Sequence, residues 1–156
     1  MMKILVLNGP NLNMLGIREP DLYGRETYAS LIDKIERHAQ KQGVTVVCKQ
    51  SNHEGVLVDE IQAAYGVMDA IVINPGAYTH TSIALLDAAK AVGLPMVEVH
   101  ISAVEKREAY RQISYIREAC VATITGHGTD GYLEAMDLLV RRHEAQAAEN
   151  GCDRKS

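Results

Sequence analysis

Five short apolar runs punctuate this chain: 3–7, 44–48, 70–73, 96–99 and 121–124. None alternates with polar residues as a half-exposed strand does. Continuous runs of this length, rich in Val, Ile and Leu, predict strands buried on both faces, as in a parallel sheet. Turn-forming residues close them: Asn8-Gly9-Pro10 after the first, Asn74-Pro75-Gly76 after the third and Gly126 after the fifth. Between the runs the apolar period changes to that of a helix. Residues 26–42 carry Leu31, Ile32, Ile35 and Ala39 on one stripe, with Gly43 as the stop. Residues 54–65 place Val58, Ile61 and Tyr65 together, and 81–92 do so with Ile83, Leu86 and Ala89. A short helix is predicted over 104–112, opened by a capping box of Ser102 and Glu105. The last helix runs from Asp130 into the 140s with Leu133, Met136, Leu139 and Val140 inward, and the polar chain from Ala145 onward is expected to fray.

Strand and helix that alternate without repeat or linker make a single doubly wound α/β domain over 1–145, followed by a polar tail over 146–156. For five strands the expected order is 2-1-3-4-5, the flavodoxin-like sheet. Ligands then bind beyond the carboxyl ends of strands 1 and 3, where the winding direction reverses. The chain's 156 residues suffice for one core, which must be built without Phe or Trp. A net charge of −4 speaks against nucleic acid as partner, and no apolar run is long enough for a membrane helix. Three scattered cysteines, without metal-ligand spacing, and an amino terminus without a leader pattern point to a cytoplasmic protein with reduced thiols.

The segment from Leu7 to Gly24 is long for a strand-to-helix connection, and compact loops of that length usually carry function. It holds Asn11, Arg18 and Tyr23. The predicted order brings it against the ends of strands 3 and 4. The crevice then collects Asn11, Arg18, Tyr23, Asn74, His80, Glu98, His100 and Ser102. Structural readings compete: Asn8 and Asn74 suit turns, His80 suits a helix start, and Ser102 suits a cap. Glu98 in an apolar strand needs a partner, either His100 on the same face or an arginine. The glycines at 126, 128 and 131 match a dinucleotide spacing, but they follow the last strand and read as a tight turn with close helix packing. There is no phosphate-loop or metal-ligand motif, and Lys49 lies off the crevice, against imine chemistry. What remains is proton transfer. An arginine beside a tyrosine favours the phenolate and makes a base of Tyr23. Asparagine side chains stabilise an enolate. A histidine then protonates a departing hydroxyl. A non-catalytic ligand-binding module would account for the helix starts but not for a Tyr–Arg loop facing two histidines.

Four motifs in order make the chain resemble the type II 3-dehydroquinate dehydratases over residues 3–140. They are Asn8-Gly9-Pro10-Asn11-Leu12-Asn13 with Leu15-Gly16, Arg18-Glu19-Pro20 and Tyr23-Gly24; Gln50-Ser51-Asn52-His53-Glu54-Gly55; Asn74-Pro75-Gly76-Ala77-Tyr78-Thr79-His80-Thr81-Ser82; and Glu98-Val99-His100-Ile101-Ser102. The resemblance implies a homododecamer, a tetramer of trimers, that removes water anti from 3-dehydroquinate through an enolate, with no metal or cofactor. It implies that Tyr23 takes the C2 proton, that Arg18 lowers the Tyr23 pKa on a lid, and that Asn11 holds a water on the enolate. His100 becomes the general acid for the C1 hydroxyl, assisted by Asn74. His80 and Arg111 grip substrate hydroxyls, and the Ile101 and Ser102 amides with the Ser102 hydroxyl bind the carboxylate. Glu98 is a supporting carboxylate, Arg107 a second basic residue, and Asp87 reaches a neighbouring subunit's site. The chain departs from the family pattern at Ala103, where an asparagine is usual, and at Glu105 and Lys106 before Arg107-Glu108. These changes bear on substrate affinity, on trimer contacts and on the choice between biosynthesis and quinate breakdown.

Overall fold

The computed structural model describes residues 1–17, 21 and 26–153. Five parallel strands form one sheet: β1 (Lys3–Asn8), β2 (Thr45–Gln50), β3 (Ala70–Asn74), β4 (Met96–His100) and β5 (Ala122–Thr125). Their order is β2-β1-β3-β4-β5, as the sequence predicts. Every residue of β3 and β4 is buried, which is why those runs carry no alternation. Among the described residues, α1 (Tyr28–Gln42), α2 (Glu54–Ala64), α3 (Ile83–Val92) and α4 (Asp130–Asp153) cover the sheet.

The two layers follow from strand geometry. Successive side chains leave opposite faces, so Ile4 and Val6 meet α1 and α4 while Leu5 and Leu7 meet α2 and α3. Each fully buried Leu or Ile contributes roughly 1.5–3 kcal/mol, and these two apolar layers hold the helices in place. α1 starts at Tyr28, later than the sequence suggests, because Thr27 and Ser30 form a reciprocal cap.

Several helix faces differ from the predicted stripes. α2 buries Leu57, Ile61 and Ala64, leaving Tyr65 69% exposed beyond its end. α3 buries Leu85, Leu86, Ala88 and Ala89, and Ile83 faces outward. α4 buries Tyr132 in preference to Leu133, and it continues through Asp153 without fraying at Ala145. Ala, Glu and Gln dominate that extension and favour helix although nearly all of it is exposed.

The largest correction concerns 104–112. The chain forms two short 3-10 turns there, Val104–Lys106 and Ala109–Arg111, separated by extended backbone at Arg107 and Glu108. The Gln112 side-chain amide sits 3.2–3.3 Å from the Val104, Arg107 and Glu108 carbonyls and substitutes for helical hydrogen bonds. Ser102 does not cap. Glu105 turns away and accepts a hydrogen bond from the Thr125 hydroxyl at 3.0 Å.

Candidate active site

The carboxyl ends of β1, β3 and β4 open into one cleft of about 650 Å³, part of it open to solvent. Parallel register sets its floor, since Asn8 pairs with Asn74 and Ile73 with Glu98. The strand ends approach closely. The Gly9 amide donates to the Asn74 carbonyl at 2.7 Å, and a Cβ at Gly9 would lie 2.4 Å from the Pro75 oxygen. Only glycine allows that contact.

Asn11, Asn74, His80, His100, Ile101, Ser102, Arg107 and Arg111 all line the cleft, joined by Leu12, Leu15 and Val104. Glu98 lies beneath it, fully buried. Asp87 stands apart, exposed on α3. Arg18 and Tyr23, and with them most of the expected lid, lie outside the described residues. Leu15, at the lid's expected start, is 5% exposed and packs into the core.

Asn11 is held by the second motif. Its backbone has φ 70°, and its N–H donates to Asn52 Oδ1 at 3.0 Å. Gln50 Nε2 donates to the same Asn52 oxygen and to the Gly9 carbonyl, each at 3.1 Å. The Gln50–Asn52 stretch therefore braces the first loop from β2 without lining the cleft.

Glu98 has both partners that its burial demands. Its Oε2 receives His100 Nε2 at 2.5 Å, and Arg117 Nε lies 3.6 Å from Oε1. Hydroxyls add to these: Thr79 donates at 2.8 Å, Ser114 at 2.9 Å and Thr123 at 3.4 Å. Burial by itself pushes this carboxyl up. The His100 hydrogen bond and charge, then the Thr79 and Ser114 hydroxyls, outweigh it and hold the pKa at about 2. An ionised carboxylate only accepts, so His100 Nε2 carries a proton and Nδ1 is the ring nitrogen left to address the cleft.

His80 is set differently. Its Nδ1–H donates to the Ile113 carbonyl at 2.7 Å, which leaves Nε2 as an acceptor. Burial lowers its pKa most; the Ile113 bond opposes, the His100 and Arg111 charges add to the lowering, and the net shift is downward. The side chain is therefore neutral at pH 7. Arg111 Nε donates to Glu108 at 2.8 Å and its guanidinium covers the Tyr110 ring at 5.2 Å. Arg107 Nη1 donates to Ser102 Oγ at 3.4 Å. Two guanidinium groups and a serine thus stand near the β4 end, an arrangement suited to a small anion.

Thr79, Ser114, Tyr132 and Asn8 hold the candidate residues from beneath the cleft, and none of them was among the predicted site residues. Asn8 reads as a turn residue, yet it is fully buried and its Oδ1 accepts from the Tyr132 hydroxyl at 2.6 Å. Its Nδ2 makes no hydrogen bond of normal geometry. It faces the Tyr28 phenol, whose pKa burial raises and the Asn8 amide partly offsets. For Asn74 the turn reading and the site reading both hold, because its Oδ1 accepts from the Gly76 amide at 3.1 Å while the side chain lines the cleft. The glycine turn after β5 reads as expected: Gly126 and Gly128 have positive φ, and a Cβ at Gly131 would lie 3.3 Å from the Ile124 and Val99 side chains, so the helix packs close there.

The sequence pattern of dehydroquinase class II matches residues 2–140. The chain belongs to the class II dehydroquinase family. The 3-dehydroquinate dehydratase of Ruegeria pomeroyi is 51% identical over 95% of this dehydroquinase and 99% of the relative. The catabolic 3-dehydroquinase of Verticillium alfalfae is 50% identical over 89% and 93%. The crystal structure of type II dehydroquinase from Butyrivibrio crossotus superposes with a TM-score of 0.87 at 51% identity, covering 88% of this chain and 97% of that one. This dehydroquinase is accordingly an enzyme of the lyase class, within a family whose members bear both general and catabolic names. No described helix is long and apolar enough to cross a membrane.

Proposed function

We propose that this dehydroquinase catalyses the reversible anti dehydration of 3-dehydroquinate to 3-dehydroshikimate through an enolate. The observation that carries the mechanism is the His100–Glu98 pair at the end of β4, in a cleft that also holds two guanidinium groups. Tyr23, its phenolate favoured by Arg18, removes the C2 proton. The charge that develops on the enolate oxygen is met by a water held on Asn11. His100, once protonated, donates from Nδ1 to the C1 hydroxyl as it leaves, with Asn74 beside it. Glu98 stabilises the imidazolium from the opposite ring nitrogen.

Binding follows from the same wall. The Ile101 and Ser102 amides and the Ser102 hydroxyl take the carboxylate, with Arg107 as neighbouring cation. Neutral His80 accepts from one substrate hydroxyl and Arg111 donates to another. Ala103 in place of an amide side chain leaves the carboxylate end less enclosed, so weaker substrate binding is expected, with turnover retained. The active assembly is a homododecamer, a tetramer of trimers, in which Asp87 completes a neighbouring subunit's site. The domain of 1–145 carries the catalysis in the cytoplasm, in aromatic biosynthesis through the shikimate route or in quinate breakdown.

The test is direct. Chelator-treated protein is mixed with 3-dehydroquinate and the ultraviolet absorbance of the conjugated product is followed. Product formation is expected, and none at high enzyme concentration would sink the reading. Tyr23→Phe is expected to abolish turnover while substrate still binds; near-normal turnover would remove Tyr23 as the base.

A further inference from the structure

A polar chain beneath the cleft leads to a residue that the reaction as described does not use. The Gly76 amide can only donate, so the Asn74 atom facing it at 3.1 Å is Oδ1. Asn74 Nδ2 therefore faces Tyr132 and donates to its hydroxyl at 2.9 Å. The same hydroxyl has one proton, and it goes to Asn8 Oδ1 at 2.6 Å. Each link runs in one direction only. They leave the Asn74 amide nitrogen with one unspent N–H, and Asn74 lines the cleft.

We infer that Tyr132 is a positioning residue for the reaction, one that aims the Asn74 amide so that an N–H is fixed on the oxygen that leaves. The inference rests on the proposed dehydration. The C1 oxygen gains negative charge as its bond to carbon breaks, and a preset donor stabilises that charge without reorganising. A loosely held amide would spend part of its time with its carbonyl oxygen toward the same charge.

Tyr132 suits the task. It is fully buried in the first turn of α4 and packed within the core layer that α1 and α4 cover, so its hydroxyl is held by the surrounding side chains. Burial also keeps its phenol un-ionised, so the proton given to Asn8 is always present. Without the hydroxyl, Asn74 keeps only the Gly76 contact, and an N–H that pointed at oxygen points at carbon.

A double-mutant cycle in kcat separates this from a general loss of packing. Tyr132→Phe is expected to lower kcat about tenfold with KM little changed, short of the ~10²–10³-fold that deleting a transition-state donor costs. In an Asn74→Ala background the same substitution is expected to cost nothing further. Losses that multiply in the double variant, or a Tyr132→Phe enzyme with unaltered kcat, would overturn the inference. Should Tyr132→Phe not fold, Asn8→Ser loosens the same link from its other end, with the same non-additivity expected and the same overturning result.

A measurement without substrate completes the test. The Asn74 side-chain N–H pair, identified in ¹H–¹⁵N spectra by its absence from Asn74→Ala, should contain one slowly exchanging proton. Tyr132→Phe should abolish that protection, and an unchanged pair contradicts the link whatever the kinetics. Wild-type protein that shows the protected proton yet makes no product sinks the dehydration reading, and with it the positioning role assigned to Tyr132.

Discussion

Glu98 shows what a single residue's surroundings dictate. A carboxyl group in an all-apolar strand must either lose its charge or find donors, and this one has a histidine, an arginine and three hydroxyls. Its pKa falls from 4.5 to about 2, so the folded state holds fewer protons than the unfolded chain between those values. The resulting stabilisation, about 3 kcal/mol, is complete above pH 4.5 and is lost as pH falls toward 2. Acid titration of the thermal midpoint should therefore be shallower for Glu98→Gln than for wild type over that window; parallel curves would contradict the ionised, bonded carboxylate. The same variant frees the His100 tautomer and is expected to lower kcat by about 10–100-fold, measured at saturating substrate. That Glu98 needed a partner was legible in the sequence, as was the choice between His100 and an arginine. The hydroxyl partners were not: Thr79 stands in the third motif and Ser114 in none, but at 19 and 16 positions away in the chain nothing local pairs either with Glu98.

Among the elements, strands read more faithfully than helices and turns. Continuous apolar runs mark parallel strands, and all five became strands in the expected order; the central β1, β3 and β4 are buried on both faces, while β2 and β5, at the sheet edges, are only partly covered. Helix faces depend on what the partner layer offers, and so Ile83 and Tyr65 turned outward. Segment 104–112 failed as a helix for a different reason: Gln112 takes its carbonyls, and Arg107 and Arg111 are thereby turned into the cleft wall. Tyr132 went unnoticed because an aromatic on a helix face reads as core, and it is core except for its hydroxyl. At this scale Gly9→Ala is the sharpest test. The new methyl meets the Pro75 carbonyl at 2.4 Å, so the ends of β1 and β3 must separate. A stability loss of about 1–3 kcal/mol is expected by denaturant titration. A larger proportional loss of kcat/KM should accompany it, because Asn11 and Asn74 move apart. Normal activity in that variant would mean the two strand ends are not coupled through this contact.

At the scale of the whole molecule, the winding order puts β1, β3 and β4 side by side, and the site follows from that adjacency. The cleft of one chain is lined by every predicted site residue within the described segments except Glu98, buried beneath it, and Asp87, which stands exposed on α3 one turn beyond the outward Ile83. That placement fits a residue serving a neighbouring subunit. Sedimentation should show an assembly of twelve 17.1-kDa chains, and dissociation by dilution should reduce activity as far as Asp87→Asn does; full activity in a monomer would remove Asp87 from the site. The central claim is an anti elimination begun at C2 and ended by proton delivery from the His100 side of the cleft. Its most direct measurement uses 3-dehydroquinate carrying deuterium at only one C2 position. The account predicts that deuterium anti to the departing hydroxyl is lost to solvent while deuterium syn to it survives in the product. Loss of the syn deuterium, with the anti label retained, would contradict it.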